Sequence, residues 1–481
     1  MVARLVAGVD CSTQATKVLL VDTETGEVVA EGRAPHEVTT GDGRSETHPD
    51  VWWEALRVAL GSTGRADEVA AIAIGGQQHG LVLQDERGRA LRPAVLWNDT
   101  RSAEVVPELH AALGGPEVWA ERTGSVPVPS FTVTTLAWLR RHEPEVVAAA
   151  HGIRLPHDHL TERLTGRGVT DRGDVSGTGW WSPRDEAYVD QVLELPQVAL
   201  EVSQLPEVLG PDEVAGTVGE QAAAELGLAP GVVVAAGTGD NMAAALGLGL
   251  DDGTPVLSLG TSGTAYVASA TPTADPTGVV AGFASADGGF LPLVCTLNAT
   301  LAVDRVAAWL GLDRDDVAGS TDCVVLPYLD GERTPDLPDA AGTILGLRHT
   351  TRPQEILLAA YEGAVAGLLT GLTTMADTGA EVSDTSPLVL LGGGSRGATW
   401  RDVVRRLSGR AVLLPDATEL VALGAAVQAA SLLREEPAGA VARAWDTTNG
   451  TTLEPLPARP EVVERITRVR QLADAVLRER W

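Results

Sequence analysis

The chain has 481 residues, of which 44% are hydrophobic and 21% charged, a composition that supports packed cores and excludes disorder as the main state. At roughly 100–200 residues per domain the length allows two to four domains. With 36 Lys+Arg against 65 Asp+Glu the formal net charge is −29; so acidic a body repels phosphate backbones and anionic lipid, which argues against nucleic acid or a membrane surface as partner.

From the N-terminus, apolar runs predict strands at 5–9, 17–21 and 27–30, separated by the turn-rich segments CSTQAT and TETGE, a strand–turn–strand meander. A helix is expected at 51–60, then an apolar strand at 69–74 running into GGQQHG. Further strands follow at 81–84 and 93–96, the second leading into WNDTRS. Helices follow, among them 102–113 and 135–141. A strand at 232–236 ends in GTGDN and precedes a small-residue helix at 242–248. A second round then begins with a strand at 256–259, the turn GTSGT and a strand at 265–268. It repeats the N-terminal plan and points to two related α/β halves, 1–242 and 243–481. A long helical pattern covers 353–375. A buried strand at 387–391 leads into GGGSRG, followed by a helix to 407, a strand at 411–414 and a helix at 420–433. A Pro-rich stretch at 453–460 joins a C-terminal amphipathic helix.

Lys17 is the only lysine. It is not preceded by the glycine spacing of a phosphate-binding GxxxxGK[ST] loop, and a Schiff-base mechanism would have to use it alone. Cys11, Cys295 and Cys323 are far apart and odd in number, which indicates neither a disulfide framework nor a structural metal site. The N-terminus has no charged-then-apolar targeting segment, and no apolar run is expected to reach the ~18–20 residues that span a bilayer. A cytoplasmic protein is the expectation.

Five segments are candidates for chemistry. In GVDCSTQATK an apolar strand ends in Asp10, and the turn holds Ser12, Thr13 and Thr16. Such a turn offers N–H groups and hydroxyls to phosphate oxygens, while an acid at the strand end suits hydrated magnesium. The bland alternative is a hairpin whose polar groups satisfy one another. GTGDN at 237–241 opens a helix at a strand's carboxyl end, where ligands of α/β sheets gather. There Asp240 is a candidate general base or simply a helix N-cap. GGQQHG brings Gln77, Gln78 and His79, and WNDTRS brings Trp97, Asn98, Asp99 and Arg101. This mixture of orienting polar groups on an apolar face suits a polyol, or else describes ordinary satisfied loops. GGGSRG at 392–397, with Asp416 after the next strand, matches a dinucleotide fingerprint. It lies too near the C-terminus for the further strand–helix units that fold requires. No HExxH or GxSxG motif offers hydrolytic machinery.

Taken in order, GVDCSTQATK, GGQQHG, LWNDTRS, LPHDHL, GTGDN, SLGTSGT, NAT, LPYLDGERTP, YEGAVAGL, GGGSR and LGAAVQA resemble the FGGY carbohydrate kinases over nearly the whole chain. The resemblance implies two ribonuclease-H-like, actin-type domains flanking a cleft, with sugar mostly on the first and ATP mostly on the second. It implies ATP-dependent phosphorylation of D-xylulose at its C5 hydroxyl, or of ribulose, gluconate or glycerol in a sister enzyme. Outside the class stand an actin-like ATPase and an NAD-dependent dehydrogenase. By the same resemblance Asp240 is the catalytic base and Asp10 stands near magnesium, through water, and the transferred phosphate. Gln78, His79, Asp99 and Asn241 would contact sugar. Ser12, Thr13, Gly260 and Thr261 would contact phosphates, and Gly392, Gly393 and Gly394 would contact adenosine. Trp309 would line the adenine pocket or pack in a helix core. A homodimer is compatible with the chain.

Overall fold

The computed structural model describes residues 4–479. Strand β1 (Leu5–Cys11) turns into β2 (Ala15–Asp22), and β2 pairs antiparallel with β3 (Val28–Pro35). Helix α1 (Pro49–Ser62) starts at a proline, is capped by His48, and buries Trp52, Trp53, Leu56 and Leu60, the spacing of a single apolar stripe. It leads to β4 (Val69–Gly76), parallel to β1. After α2 (Pro156–Thr165) come β5 (Val214–Thr217), β6 (Val233–Ala235) and α3 (Asp240–Leu248). The sheet order is β5-β6-β4-β1-β2-β3, and Thr238–Gly239 pairs beside the end of β4.

The second half contains β7 (Pro255–Leu259), β8 (Gly263–Val267), β9 (Ala281–Ala284) and β10 (Phe290–Thr296). Helices α4 (Thr300–Leu310) and α5 (Pro353–Asp377) precede β11 (Leu388–Leu391), α6 (Ala398–Ser408) and β12 (Val412–Pro415). The chain ends with α7 (Leu420–Arg434), β13 (Gly450–Leu453) and α8 (Pro460–Leu477). The sheet order is β9-β10-β8-β7-β11-β12-β13. Both sheets are built alike. An antiparallel meander leads to two strands parallel to its first, and an antiparallel edge strand closes the far side.

Alternation along the strands decides what the sheets pack against. In the first sheet Ala7, Val9, Val18, Leu20, Ile72 and Ile74 join the cluster containing α1. Val6, Leu19, Ala71 and Ala73 join α3 and α7, and so do Val256, Tyr266 and Val389 of the second sheet. Helices α3 and α7 therefore form one layer between the two sheets. The outer face of the second sheet packs on α4, α5, α6 and α8. Five layers result, and the division expected at 242/243 falls inside α3.

The middle layer is tight because it is built from glycine and alanine. A Cβ on Gly424 would lie 1.8 Å from the Ala243 carbonyl oxygen, and one on Gly8 would lie 1.9 Å from that of Ala422. Backbone thus meets backbone where side chains are absent.

Three expectations are corrected. The helix expected at 102–113 begins as a 3-10 turn, Arg101–Val105, and becomes α-helical only at Val106–Leu113, because Pro107 supplies no N–H and sets a new start. Strands β9 and β10 were not expected, and β13 precedes the Pro-rich segment assigned as a link. Helix α5, with 25 residues and a mean hydropathy of 1.5, is long and apolar enough to cross a membrane, but 72% of its apolar window is buried inside the fold. It is the core helix of the second half.

Gly424→Ala should destabilise the protein by about 1–3 kcal/mol through overpacking, seen as a lower melting temperature. Gly367→Ala, where an added Cβ meets nothing within 4 Å inside α5, should leave melting unchanged or raised.

Candidate active site

Asp10 is the penultimate residue of β1, with Val6 and Gly8 on its own face, the face turned toward α7. Its register partners are Lys17 across the hairpin and Gly75 on β4. The Lys17 ammonium lies 3.6 Å from Asp10 Oδ2 and also pairs with Glu419, immediately before α7. Asp10 is buried, and its Oδ1 has no hydrogen-bond partner. Burial pushes its carboxyl up to about 6, against the pull of Lys17.

Asp240 is the first residue of α3; Gly239 occupies the cap position and makes no side-chain cap. The bland reading of Asp240 as N-cap is thereby excluded. Its Oδ1 accepts from the Asn241 backbone N–H at 2.8 Å and from Asn241 Nδ2 at 3.0 Å. Burial, then the charges of Asp10 and Asp174, raise its carboxyl to about 7. The loop before it is fixed on several sides. Gln428 of α7 exchanges hydrogen bonds with Gly237 N–H and C=O at 3.0 and 3.1 Å. Thr238 donates to Asp171 at 2.7 Å.

Beside Asp240, Asn241 Nδ2 donates to Gln78 Oε1 at 2.8 Å. Gln78 Nε2 is buried without a partner, which leaves this wall an unused donor, and both amide atoms of the neighbouring Gln77 are likewise unpartnered. His79 sits at φ 65°, stacks on Phe131 with ring centroids 4.9 Å apart, and has Nδ1 2.8 Å from the Gly177 carbonyl. Burial, helped by the charge of Arg333, lowers it to about 3. The ring is neutral, Nδ1 carries the proton, and Nε2 is left as an acceptor.

Other expected residues are placed differently. Asp99 accepts from Ser45 N–H and from Arg101 through both oxygens, so its carboxylate is engaged in a network with these neighbours. Its neighbour Trp97 donates to Thr13 at 3.1 Å. The Ser12 hydroxyl closes its own hairpin on Ala15 at 2.8 Å, as the bland reading expected.

In the second half, the Gly260–Thr261 turn receives α4, with Thr300 Oγ1 donating to Gly260 C=O at 2.7 Å, while Thr261 is exposed. The glycine loop lies against the same strand end. Added Cβ atoms on Gly392 and Gly394 would fall within 2.7 Å of Leu259, whereas one on Gly393 would meet nothing. A side chain at Gly392 or Gly394 would collide with Leu259, while Gly392 and Gly393 are both exposed and Gly394 is buried. The sheet gains one more parallel strand, β12, and then an antiparallel edge, which excludes the dinucleotide-binding fold. Trp309 is 65% exposed, so the helix-core reading is corrected. It lines a cavity of about 710 Å³ with Leu297, Leu301 and Arg305.

Family models for the FGGY family of carbohydrate kinases match residues 5–247, as the N-terminal domain, and 256–433, as the C-terminal domain. The chain belongs to the FGGY family of carbohydrate kinases. It is 58% identical over 472 residues to the xylulose kinase of Streptomyces coelicolor, covering 98% of this chain and 96% of the relative. The identity to the xylulose kinase of Streptomyces rubiginosus is 57%, with the same coverage. The crystal structure of xylulose kinase from Bifidobacterium adolescentis superposes with a TM-score of 0.86 at 36% identity, covering 98% of this chain and 100% of that one. The duplicated sheets are accordingly two actin-type domains.

Several residues of this FGGY kinase escaped sequence reasoning. Lys17 was noted only for being alone; its place opposite Asp10 follows from hairpin register. Glu419, just before α7, and Gln428, within it, lie more than 400 and 190 residues away from their partners Lys17 and Gly237. Arg333, in GERTP, stands close enough to depress His79.

Asp10, Asp174 and Asp240 hold protons more tightly folded than unfolded, with values raised from 3.8 to about 6, 7 and 7. The stability they contribute is present in acid and lost as pH rises through 6–7. Asp240→Asn should therefore melt higher than the parent at pH 8, and the gap should shrink toward pH 5; a gap independent of pH would contradict the assignment.

Proposed function

We propose that this kinase transfers the γ-phosphoryl group of ATP to the C5 hydroxyl of D-xylulose, with Asp240 as general base. The sugar rests on the name shared by its near-full-length relatives. The observation that carries the mechanism is the place of Asp240 at the start of α3, bonded to the Asn241 that also holds Gln78; burial raises its carboxyl to about 7. A base with a value near working pH is matched to accept a hydroxyl proton.

Sugar hydroxyls find acceptors and donors in Gln77, Gln78, His79 Nε2 and Asn241, with Trp97 as the apolar face. Phosphoryl transfer asks mainly for positioning and charge compensation. The hairpin turns at Thr13 and at Gly260–Thr261, and the open Gly393, would hold the phosphates and adenosine. Lys17 lies beside Asp10, where it would meet the transferring group. Among the described residues no group of three or more His, Cys, Asp or Glu is arranged to hold a metal unaided. The unpartnered Oδ1 of Asp10 nevertheless suits magnesium that takes most of its ligands from water and substrate phosphates. When bound, magnesium supplies charge neutralisation on those phosphates.

In this reading the sugar lies on residues 1–242 and ATP mostly on 243–481, with α3 and α7 shared. The net charge of −29 supports a protein that works on small molecules in the cytoplasm, with neither nucleic acid nor a membrane as partner. A homodimer is compatible with it.

ADP release with magnesium-ATP should be led by D-xylulose in a panel with D-ribulose, L-ribulose, D-gluconate, glycerol and no sugar. A different leading polyol would move the specificity, and release indifferent to sugar would overturn the kinase reading of this site. Asp240→Asn should lower kcat by about 10²–10⁴-fold in a folded protein, and near-parental turnover would remove Asp240 from the role.

A further inference from the structure

Behind the Gly237–Asp240 loop lies a group of ionisable side chains that the reaction does not use. His157 Nε2 is 3.2 Å from Asp158, 3.5 Å from Asp171 and 3.2 Å from Asp174, and all four side chains are buried. These separations exceed the ~2.7–2.9 Å of directed charge-assisted hydrogen bonds, so the contacts act through charge more than through bond geometry. Two of the carboxylates have local duties. Asp158 accepts from Leu155 N–H at the start of α2, and Asp171 accepts from Gly173 and Asp174 N–H. Those duties alone explain neither why the three converge nor why a histidine lies among them.

The cluster touches the catalytic loop at consecutive residues. An added Cβ on Gly237 would lie 2.8 Å from His157 Nδ1, and one on Gly239 would lie 3.1 Å from Asp174 Oδ1. Between them Thr238 donates to Asp171 at 2.7 Å. On the strand beneath, an added Cβ on Gly76 would lie 3.0 Å from His157 Cβ. Gly237, Thr238 and Gly239 thus rest directly on His157, Asp171 and Asp174, and Asp240 follows.

We propose that His157 is a positioning residue for the kinase reaction: as a buried cation it gathers Asp158, Asp171 and Asp174, and through Asp171–Thr238 and Asp174–Gly239 it fixes where Asp240 stands. The proposal rests on the reading of Asp240 as the base. Without a central cation, three buried carboxylates repel one another or take up protons. Either outcome loosens the acceptor that holds Thr238. Burial alone would lower His157, but Asp158, Asp174 and Asp171 hold it up to about 9, so the cation persists at neutral pH.

The test compares His157→Gln, His157→Lys and Thr238→Val with the parent and with Asp240→Asn. ADP release driven by D-xylulose and magnesium-ATP is measured on protein shown to be folded by circular dichroism. His157→Gln should lose about 10-fold or more in kcat, toward the ~10²-fold that a 1 Å misplacement costs, with KM for ATP within about twofold. His157→Lys, which restores a cation, should recover most of that loss. Thr238→Val should reproduce the loss in kcat with the cluster intact, and it decides the matter if His157→Gln does not fold. Parental kcat in His157→Gln or in Thr238→Val, or His157→Lys as impaired as His157→Gln, would overturn the proposal while a dead Asp240→Asn leaves the base assignment standing. An active Asp240→Asn would overturn that assignment and the proposal with it.

Discussion

Negative charge concentrated in a region of low polarity is the constraint around which this molecule is arranged. Asp10, Asp174 and Asp240 lie close enough for their charges to interact, and each is pushed toward neutrality first of all by burial. An isolated buried carboxylate is costly, so these residues persist only where the surroundings supply compensation. Two cations do so. Lys17 lies beside Asp10 and Glu419, and His157 lies among the carboxylates behind the loop. What they leave uncompensated suits a kinase, because a carboxylate poised near neutral pH can accept a proton that an ordinary aspartate would leave on the substrate.

The same economy of space governs the layer between the sheets. Phosphoryl transfer requires the two substrates' sites to be held in register by elements that do not give way. Helices α3 and α7 meet through glycine and alanine, so their backbones touch and little slack remains. Gln428 adds direction to that contact by holding both polar groups of Gly237. One helix from the C-terminal half thereby sets the loop that carries Asp240 in the N-terminal half. The tight turn at Gly237, with φ 79°, is open to glycine and to few other residues, which explains its presence ahead of Asp240.

Polar motifs at strand ends divide between ligand and scaffold according to what else lies within reach. Ser12 and Asp99 satisfy their own neighbourhood, the first through its hairpin and the second through Arg101 and Ser45. Gln77 and Gln78 keep buried donors and acceptors without partners, which a folded protein tolerates where a ligand completes them. Gly392 and Gly394 leave no room for a side chain beside Leu259, and an added Cβ on Gly393 would meet nothing. Spacing in the sequence is identical for both kinds of residue.

The sequence by itself determined the parts that depend on neighbours along the chain. Apolar runs marked β1, β2, β4, β7, β8 and β11, and the repeated strand–turn–strand plan disclosed the duplication. The positions of Asp10, Asp240, Gln78 and His79 at strand ends made them legible as a site, since ligands of α/β sheets collect there. Only the tertiary structure decided the rest. Whether Asp240 caps a helix, whether Asp99 is free, and whether Trp309 is buried depend on residues that contribute no local pattern. Lys17 meets Glu419, Gly237 meets Gln428 and His157 meets Asp171 and Asp174 because register and helix packing bring distant chain segments together. Electrostatic energy and hydrogen bonding depend on distance through space, which spacing along the chain does not encode.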